Sequence, residues 1–114
     1  MNRKSVGTFL IFAVIFLTGC VTTSDAGYYW GSYSKTYYAL LKSPNEETLR
    51  AHHATLEDII EKSRQRDLQI PPGVQAELGY LLAKQENNKQ AMALYQKELK
   101  LYPESSVFLK RLLD

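Results

Sequence analysis

Apolar residues recur three and four positions apart along most of this chain beyond residue 27, a spacing that predicts amphipathic helices. The clearest case begins at Ser43-Pro44-Asn45-Glu46, where serine followed three residues later by glutamate is typical of a capping box. Proline is tolerated at the first helical position there. An apolar stripe then runs from Leu49 through Leu56 to Ile60, with charged residues on the other side. The pattern predicts one helix over residues 44–65.

A tyrosine-rich segment precedes this helix, with five of the eight tyrosines between Tyr28 and Tyr38. Spacings of three and four place four of its large side chains on one helical face: Trp30, Tyr33, Tyr37 and Leu41. We expect the three aromatic members of that face to pack in the core or between helices rather than to form a binding platform. Tyr28 and Tyr29 are then the better candidates for contact with lipid or a partner protein.

The C-terminal half predicts a helical hairpin followed by a short helix. Ile70-Pro71-Pro72-Gly73 breaks the chain, Glu86-Asn87-Asn88 makes a turn, and Pro103 ends the second helix of the hairpin. Ser105 or Ser106 is placed to cap the final helix. Its apolar residues are expected to cover the open end of the helical stack: Phe108, Leu109, Leu112 and Leu113.

The hairpin resembles the tetratricopeptide pattern of about 34 residues. Leu78-Gly79, Ala91, Tyr95 and Pro103 stand at the Leu-Gly, Ala, aromatic and Pro positions of that pattern. The small residues let the paired helices approach, and Tyr95 fills the seam between them.

Two positions depart from the pattern, since Gln75 stands where tryptophan is preferred and Glu98 where alanine is preferred. Glu98 either faces solvent or is a partly buried carboxylate that pairs with a tyrosine or a basic neighbour, and we favour the first alternative. The segment from Tyr33 to Arg64 is interpreted as a degenerate neighbouring repeat. The predicted fold class is all-α, with tetratricopeptide-like stacked helical hairpins and roughly two and a half repeats.

The first residues predict export. Arg3 and Lys4 precede an apolar run from Val6 to Leu17, as in a signal peptide. A membrane-spanning helix needs about 17–25 apolar residues, so this run is too short to be one. The boundary Leu17-Thr18-Gly19-Cys20 contains the only cysteine and resembles the bacterial lipobox, which implies cleavage after residue 19 and acylation of Cys20.

The predicted organisation is a signal peptide over 1–19, a lipidated tether over 20–27 and a helical domain over 28–114. The seven residues 21–27 span at most about 25 Å when extended. Removing the signal peptide takes away two of the 14 basic residues, which leaves as many basic as acidic side chains, because Asp and Glu number 12. The mature chain therefore has no net positive charge, and an interpretation as a nucleic-acid-binding protein loses its support.

The sequence contains no pattern of a nucleophilic enzyme and no phosphate-binding glycine loop, so we expect neither an enzyme nor a cofactor. His53, Glu57 and Glu61 stand one helical turn apart and offer an alternative function, a small-ligand or metal-responsive periplasmic domain. Both histidines of the chain, His52 and His53, fall on or beside the apolar stripe, and no further histidine or cysteine completes a tight site. We therefore favour a packed or hydrogen-bonded histidine at a helix interface.

The chain as a whole resembles a family of small bacterial lipoproteins of unknown function. The resemblance rests on three stretches: YYWGSYSKTYYALLKSP at 28–44, IPPGVQAELGYLLAK at 70–84 and YPES at 102–105. Members are typically encoded beside other lipoproteins, one similar to the curli secretion lipoprotein, which implies an assembly at the outer membrane. Val21 follows the cysteine, and similar lipoproteins without aspartate there are passed to the outer membrane.

These observations lead to one functional hypothesis. We expect an outer-membrane lipoprotein that faces the periplasm and holds another envelope protein, such as a companion lipoprotein. Its anchor is the acylated Cys20, and its predicted contact residues are Tyr28 and Tyr29.

Overall fold

The computed structural model describes residues 27–113, and within them it contains helices and no strand. Five α-helices follow one another: α1 Tyr33–Lys42, α2 Glu46–Gln65, α3 Val74–Lys84, α4 Asn88–Leu101 and α5 Ser106–Leu113, with a single 3-10 turn, Pro103–Ser105, before the last. Helix α1 packs on α2, α2 on α3 and α3 on α4. The predicted all-α stack of helical hairpins is confirmed.

The predicted signal peptide over 1–19, the acylated Cys20 and all of the tether before Gly27 lie outside the described residues. Among the helices that the structure describes, none combines the length and the apolar character needed to cross a bilayer.

Helix α2 begins two residues later than the sequence pattern predicted. Its N-cap is Asn45, whose Oδ1 accepts a 2.9 Å hydrogen bond from the backbone N–H of Thr48. The Thr48 hydroxyl accepts in return from the Asn45 N–H at 3.1 Å, so the capping box starts at Asn45 and not at Ser43. Ser43 is unavailable as an N-cap because it closes α1, donating its N–H to Ala39.

The two helices of the second hairpin meet through small residues, as the sequence predicted. Ala91, Tyr95, Ala76 and Leu109 form one buried cluster. A Cβ added at Gly79 would lie 2.7 Å from Cε1 of Tyr95 and 3.2 Å from the backbone oxygen of Ala91. Glycine is therefore required for this approach between α3 and α4. A second apolar cluster joins α2 to α3: Leu56, Ile59, Ile60, Ile70, Val74, Leu78 and Leu81.

The expectation that Glu98 faces solvent is wrong, because its side chain is fully buried. Its Oε1 accepts a 2.7 Å hydrogen bond from the N–H of Gly73, the residue that caps the start of α3. A backbone N–H at the start of a helix has no acceptor within the helix, and the carboxylate of Glu98 supplies that acceptor. The hydrogen bond in turn offsets part of the free-energy cost of burying the carboxylate.

Tyr102 ties the same linker to the end of α4. Its hydroxyl donates to the backbone oxygen of Ile70 at 2.6 Å, and both groups are buried. Burial also raises the pKa of this phenol, which keeps the hydroxyl in its donating form. Glu98 and Tyr102 together fix the double-proline linker, and with it the start of α3.

The aromatic face predicted around α1 is only partly buried. Trp30 precedes the helix and, like Tyr37, is 41% exposed, so neither belongs to the core. The ring of Tyr37 lies 5.7 Å from the imidazole of His52 on α2, so the expected packing between helices holds for Tyr37. Leu41, on the same predicted face, is 63% exposed. Tyr33 packs against the core cluster as expected. The reason is position: α1 is the first helix of the stack and packs mainly on α2, which covers only one of its sides.

The final helix covers the end of the stack with fewer residues than predicted. Leu109 is buried in the cluster with Tyr95, whereas Phe108 is 57% exposed and so does not belong to the core. The side chains of Leu112 and Leu113 lie outside the described part of the chain.

Replacing Tyr102 with phenylalanine is expected to lower the free energy of unfolding by about 1–3 kcal/mol, because the buried oxygen of Ile70 loses its donor. Urea unfolding followed by circular dichroism measures the change. Tyr38→Phe is the matched control, since that ring is exposed, and its effect should stay within about 0.5 kcal/mol. Equal losses in the two variants would contradict the role given to the Tyr102 hydroxyl.

Candidate functional site

An open cleft of about 730 Å³ lies between α1, the start of α2 and α3. Its lining is mainly apolar and aromatic, with one acidic and one basic side chain: Tyr33, Tyr37, Leu40, Pro44, Asn45, Leu49, Gly73, Ala76, Glu77, Tyr80, Leu81, Lys84 and Phe108. Helices close in space but distant in sequence thus contribute to one concave surface. Its size is within the range of about 300–1,000 Å³ that ligand-binding clefts occupy.

A polar network joins the three helices beside this cleft. The fully buried His52 of α2 lies with Nε2 2.5 Å from Oε1 of Glu77 on α3. Because a carboxylate only accepts hydrogen bonds, the Nε2 of the imidazole carries the hydrogen. The other ring nitrogen, Nδ1, lies 2.8 Å from Oγ1 of Thr36 on α1. His52, which lies on α2, therefore links α1 to α3.

Tyr33 completes the network from the side of α1. Its hydroxyl donates a 2.6 Å hydrogen bond to Oε2 of Glu77, so both oxygens of this carboxylate have donors. Burial of the phenol, together with the hydrogen bond to Glu77, raises the pKa of Tyr33 above its ordinary value near 10. Tyr33 is consequently a neutral donor throughout the physiological range.

The order hydroxyl, imidazole and carboxylate is that of a catalytic triad, but its placement is unsuited to nucleophilic chemistry. Neither Thr36 nor His52 is among the residues that line the cleft, whereas Glu77 is. The Thr36 hydroxyl lies within 3.2 Å of the backbone oxygen of Ser32, an arrangement common for threonine in helices. We interpret the network as a structural joint that presents the Glu77 carboxylate to the cleft.

Aromatic rings continue from the cleft toward the N-terminal end of the described chain. Tyr33 stacks on Tyr37 at 5.7 Å between ring centroids and meets Trp30 edge to face at 5.3 Å. Trp30 in turn meets Tyr28 at 6.4 Å. These separations are those of favourable aromatic pairs, so the exposed rings hold one another in place.

Helix α3 carries both the acidic and the basic side chain of the cleft. The Nζ of Lys84 lies 4.7 Å from the ring centroid of Tyr80, within the range of a cation–π contact. Glu77, Tyr80 and Lys84 are three and four residues apart on α3 and so share one face of that helix. The cleft therefore has its acidic and basic groups separated along one wall.

The two tyrosines predicted to contact lipid or a partner have different surroundings. Tyr28 is 39% exposed. Tyr29 is partly buried against α2, where its hydroxyl donates to Asp58 at 3.2 Å and the guanidinium of Arg66 lies 4.5 Å from its ring centroid. Tyr29 thus has partners within its own chain, and contact of either tyrosine with another molecule stays a prediction.

The alternative metal site is not assembled as a set of three. His53 lies with Nε2 2.6 Å from Oε1 of Glu57, but Oε1 of Glu61 accepts a hydrogen bond from Gln65. Within residues 27–113, no group of three or more His, Cys, Asp or Glu residues is arranged to hold a metal ion. The preferred interpretation, a hydrogen-bonded histidine at a helix interface, describes the neighbouring His52.

Sequence reasoning missed Glu77, Tyr80 and Lys84, the polar and aromatic side chains of the α3 wall. The available signal was a carboxylate one residue before Leu78, on a helix whose other early residues are mostly apolar. Glu77 pairs with His52, which lies 25 residues earlier in the chain on another helix. No local sequence pattern encodes how those two helices pack.

One protein-family model matches residues 28–112, and it is described as a domain of unknown function (DUF4810). Since the match covers most of the chain, the chain belongs to this family. The prediction of an uncharacterised family is therefore confirmed. Comparison with curated proteins and with solved structures gave no significant match.

Replacing His52 with phenylalanine should lower the free energy of unfolding by about 1–3 kcal/mol, because a ring of similar size then leaves Glu77 and Thr36 without their shared partner. His53→Phe is the matched control. His53 pairs with the exposed Glu57, which water can solvate, so its loss should stay within about 0.5 kcal/mol. Thermal or urea unfolding compares the two, and a reversed order would disprove the structural role of His52.

The raised pKa of Tyr33 predicts a loss of stability at alkaline pH. Above about pH 10 the unfolded chain releases the Tyr33 proton while the folded chain keeps it, so the free energy of unfolding falls as pH rises; below that pH this group contributes no slope. Urea unfolding at about pH 9 and about pH 11 should show a shallower decline for Tyr33→Phe than for the unchanged chain. Tyr38→Phe serves as control, and an unchanged slope in Tyr33→Phe would refute the assignment.

Proposed function

We propose that this member of the DUF4810 family is a lipid-anchored adaptor of the bacterial outer membrane that faces the periplasm. Its cleft holds an apolar segment of another envelope protein, most simply a companion lipoprotein. The acyl chains at Cys20 fix the chain to the membrane, and the helical domain presents the cleft to its partner.

The observation that carries this proposal is the concentration of half-exposed aromatic side chains around the cleft. Tyr37, Tyr80 and Phe108 come from α1, α3 and α5, and each of them keeps at least 39% of its surface exposed. Exposed apolar patches of this kind mark interaction sites, since they cost free energy until a partner covers them. Tyrosine in particular is enriched in protein interfaces.

The charges of the cleft indicate how a partner segment is oriented. Glu77 and Lys84 are seven residues apart on α3, about 10 Å along a helix at 1.5 Å per residue. A segment with an apolar centre, a basic residue toward Glu77 and an acidic residue toward Lys84 complements this wall. Such pairs at the edge of an interface select partner and register more than they add affinity.

Two features support binding rather than catalysis. The hydroxyl and imidazole of Thr36 and His52 lie outside the lining of the cleft, and the one carboxylate inside it already accepts two hydrogen bonds. Attachment at the outer membrane is supported by the sequence before the described domain. Leu17-Thr18-Gly19-Cys20 resembles a lipobox, and the residue directly after the cysteine is valine rather than aspartate.

Site-specific photo-crosslinking in living cells tests the proposal. A photoreactive phenylalanine derivative placed at Tyr80, inside the cleft, is expected to give a discrete adduct with one envelope protein. Met92 on α4 is the matched control, because it is 42% exposed, close to the 39% of Tyr80, and does not line the cleft. Adducts that are absent at Tyr80, or the same at both positions, would rule out the cleft as the binding site.

A further inference from the structure

Helix α1 has an outer face that no other helix of the described chain covers. None of its residues is fully buried, and it packs mainly on α2. Tyr38 and Leu41 on the outer face are 65% and 63% exposed, whereas Tyr33 and Leu40 on the inner face are partly buried. Helix α1 therefore has apolar residues on both faces, one set toward the domain and the other toward the solvent.

The charged residues of this segment have a single sign. Lys35 and Lys42 are exposed and flank Tyr38 at spacings of three and four, so the three side chains share the outer face. No acidic residue occurs from Gly27 to Asn45. Lysines beside tyrosine, leucine and tryptophan are the composition of helices that lie in a membrane interface.

Trp30 lies just before the N-terminal end of α1. It is 41% exposed and is held edge to face against Tyr33. An indole has an apolar body and one N–H donor, a combination that suits the boundary between acyl chains and polar headgroups.

The place of α1 in the chain brings this face close to a membrane. The helix begins six residues after Gly27, where the predicted tether of at most about 25 Å ends. It is the first helix of the described residues, and a short tether gives it a high effective concentration at the surface. This step rests on the anchoring at Cys20 in the proposed function.

We propose that the outer face of α1, formed by Tyr38 and Leu41 with Lys35 and Lys42, docks on the anionic phospholipid surface to which the chain is anchored, and that Trp30 at the N-terminal end of the helix enters the interface with it. The rings lie at headgroup depth, Leu41 reaches the acyl boundary, and the ammonium groups pair with phosphates. The cleft, which α1 lines from its inner side, then opens away from the lipid and remains accessible to a protein partner.

Fluorescence quenching tests the docking directly, because Trp30 is the only tryptophan of the chain. The full chain, processed in cells and purified in detergent, is reconstituted in vesicles of phosphatidylethanolamine and phosphatidylglycerol with brominated acyl chains. Trp30 emission should shift to shorter wavelength and be largely lost relative to vesicles without bromine. Acrylamide in the aqueous phase should quench it less than in detergent.

Paired lysine variants test the electrostatic part. Lys35→Gln with Lys42→Gln should weaken the docking equilibrium about fivefold per lysine, seen as recovery of Trp30 emission in brominated vesicles. Lys97→Gln with Lys100→Gln is the matched control, because these exposed lysines belong to α4. The control should behave like the unchanged chain. Equal recovery in both pairs would overturn the role of α1.

Vesicle flotation separates this proposal from the anchoring on which it rests. Protein that floats with the vesicles while Trp30 remains unquenched by bromine overturns the docking and leaves the anchor intact. Protein that neither floats nor is quenched contradicts both. A photo-crosslink from Tyr38 to a protein, without bromine quenching of Trp30, would assign the face to a protein partner and likewise overturn the proposal.

Discussion

The contact between the buried imidazole of His52 and the carboxylate of Glu77 is the interaction on which the cleft depends. It joins α2 to α3, and through Thr36 and Tyr33 the same two side chains hold α1. Helix α1 has no fully buried residue, so apolar burial alone secures it weakly. The polar network compensates for that deficit, because hydrogen bonds to a charged group in a partly buried place are among the stronger ones in proteins. One wall of the cleft is therefore held by polar chemistry and the opposite wall by the apolar core.

The helical hairpins could be predicted because their determinants are local. Gly79, Ala91 and Tyr95 stand at fixed spacings that place them on facing sides of two helices, and the structure packs them together. The start of α2 was misplaced by two residues for an equally local reason. Ser43 and Asn45 are both good N-caps, and the choice between them depended on where α1 ended. Family membership likewise followed from contiguous stretches of sequence.

The burial of Glu98 and the exposure of Trp30 could not be predicted from spacing. Glutamate at a helical seam normally turns to solvent, but here the N–H of Gly73 at the start of another helix offers it a partner. Trp30 fits an apolar stripe, yet α1 lies at the end of the described stack and packs mainly on α2, which covers only one of its sides. Both outcomes depend on which elements meet in three dimensions. The cleft itself has the same origin, since Tyr37, Tyr80 and Phe108 come together only after folding.

The contacts of Tyr29 determine how the domain bears mechanical load. Tension that reaches the domain along the chain at Gly27 meets Tyr29 two residues later, and this ring is attached to α2 through Asp58 and Arg66. The load therefore passes to the longest helix of the described stack before it reaches α1. Pulling on the chain from that side therefore acts on the hydrogen bond and the cation–π contact of one tyrosine before it reaches the joint formed by Thr36 and His52.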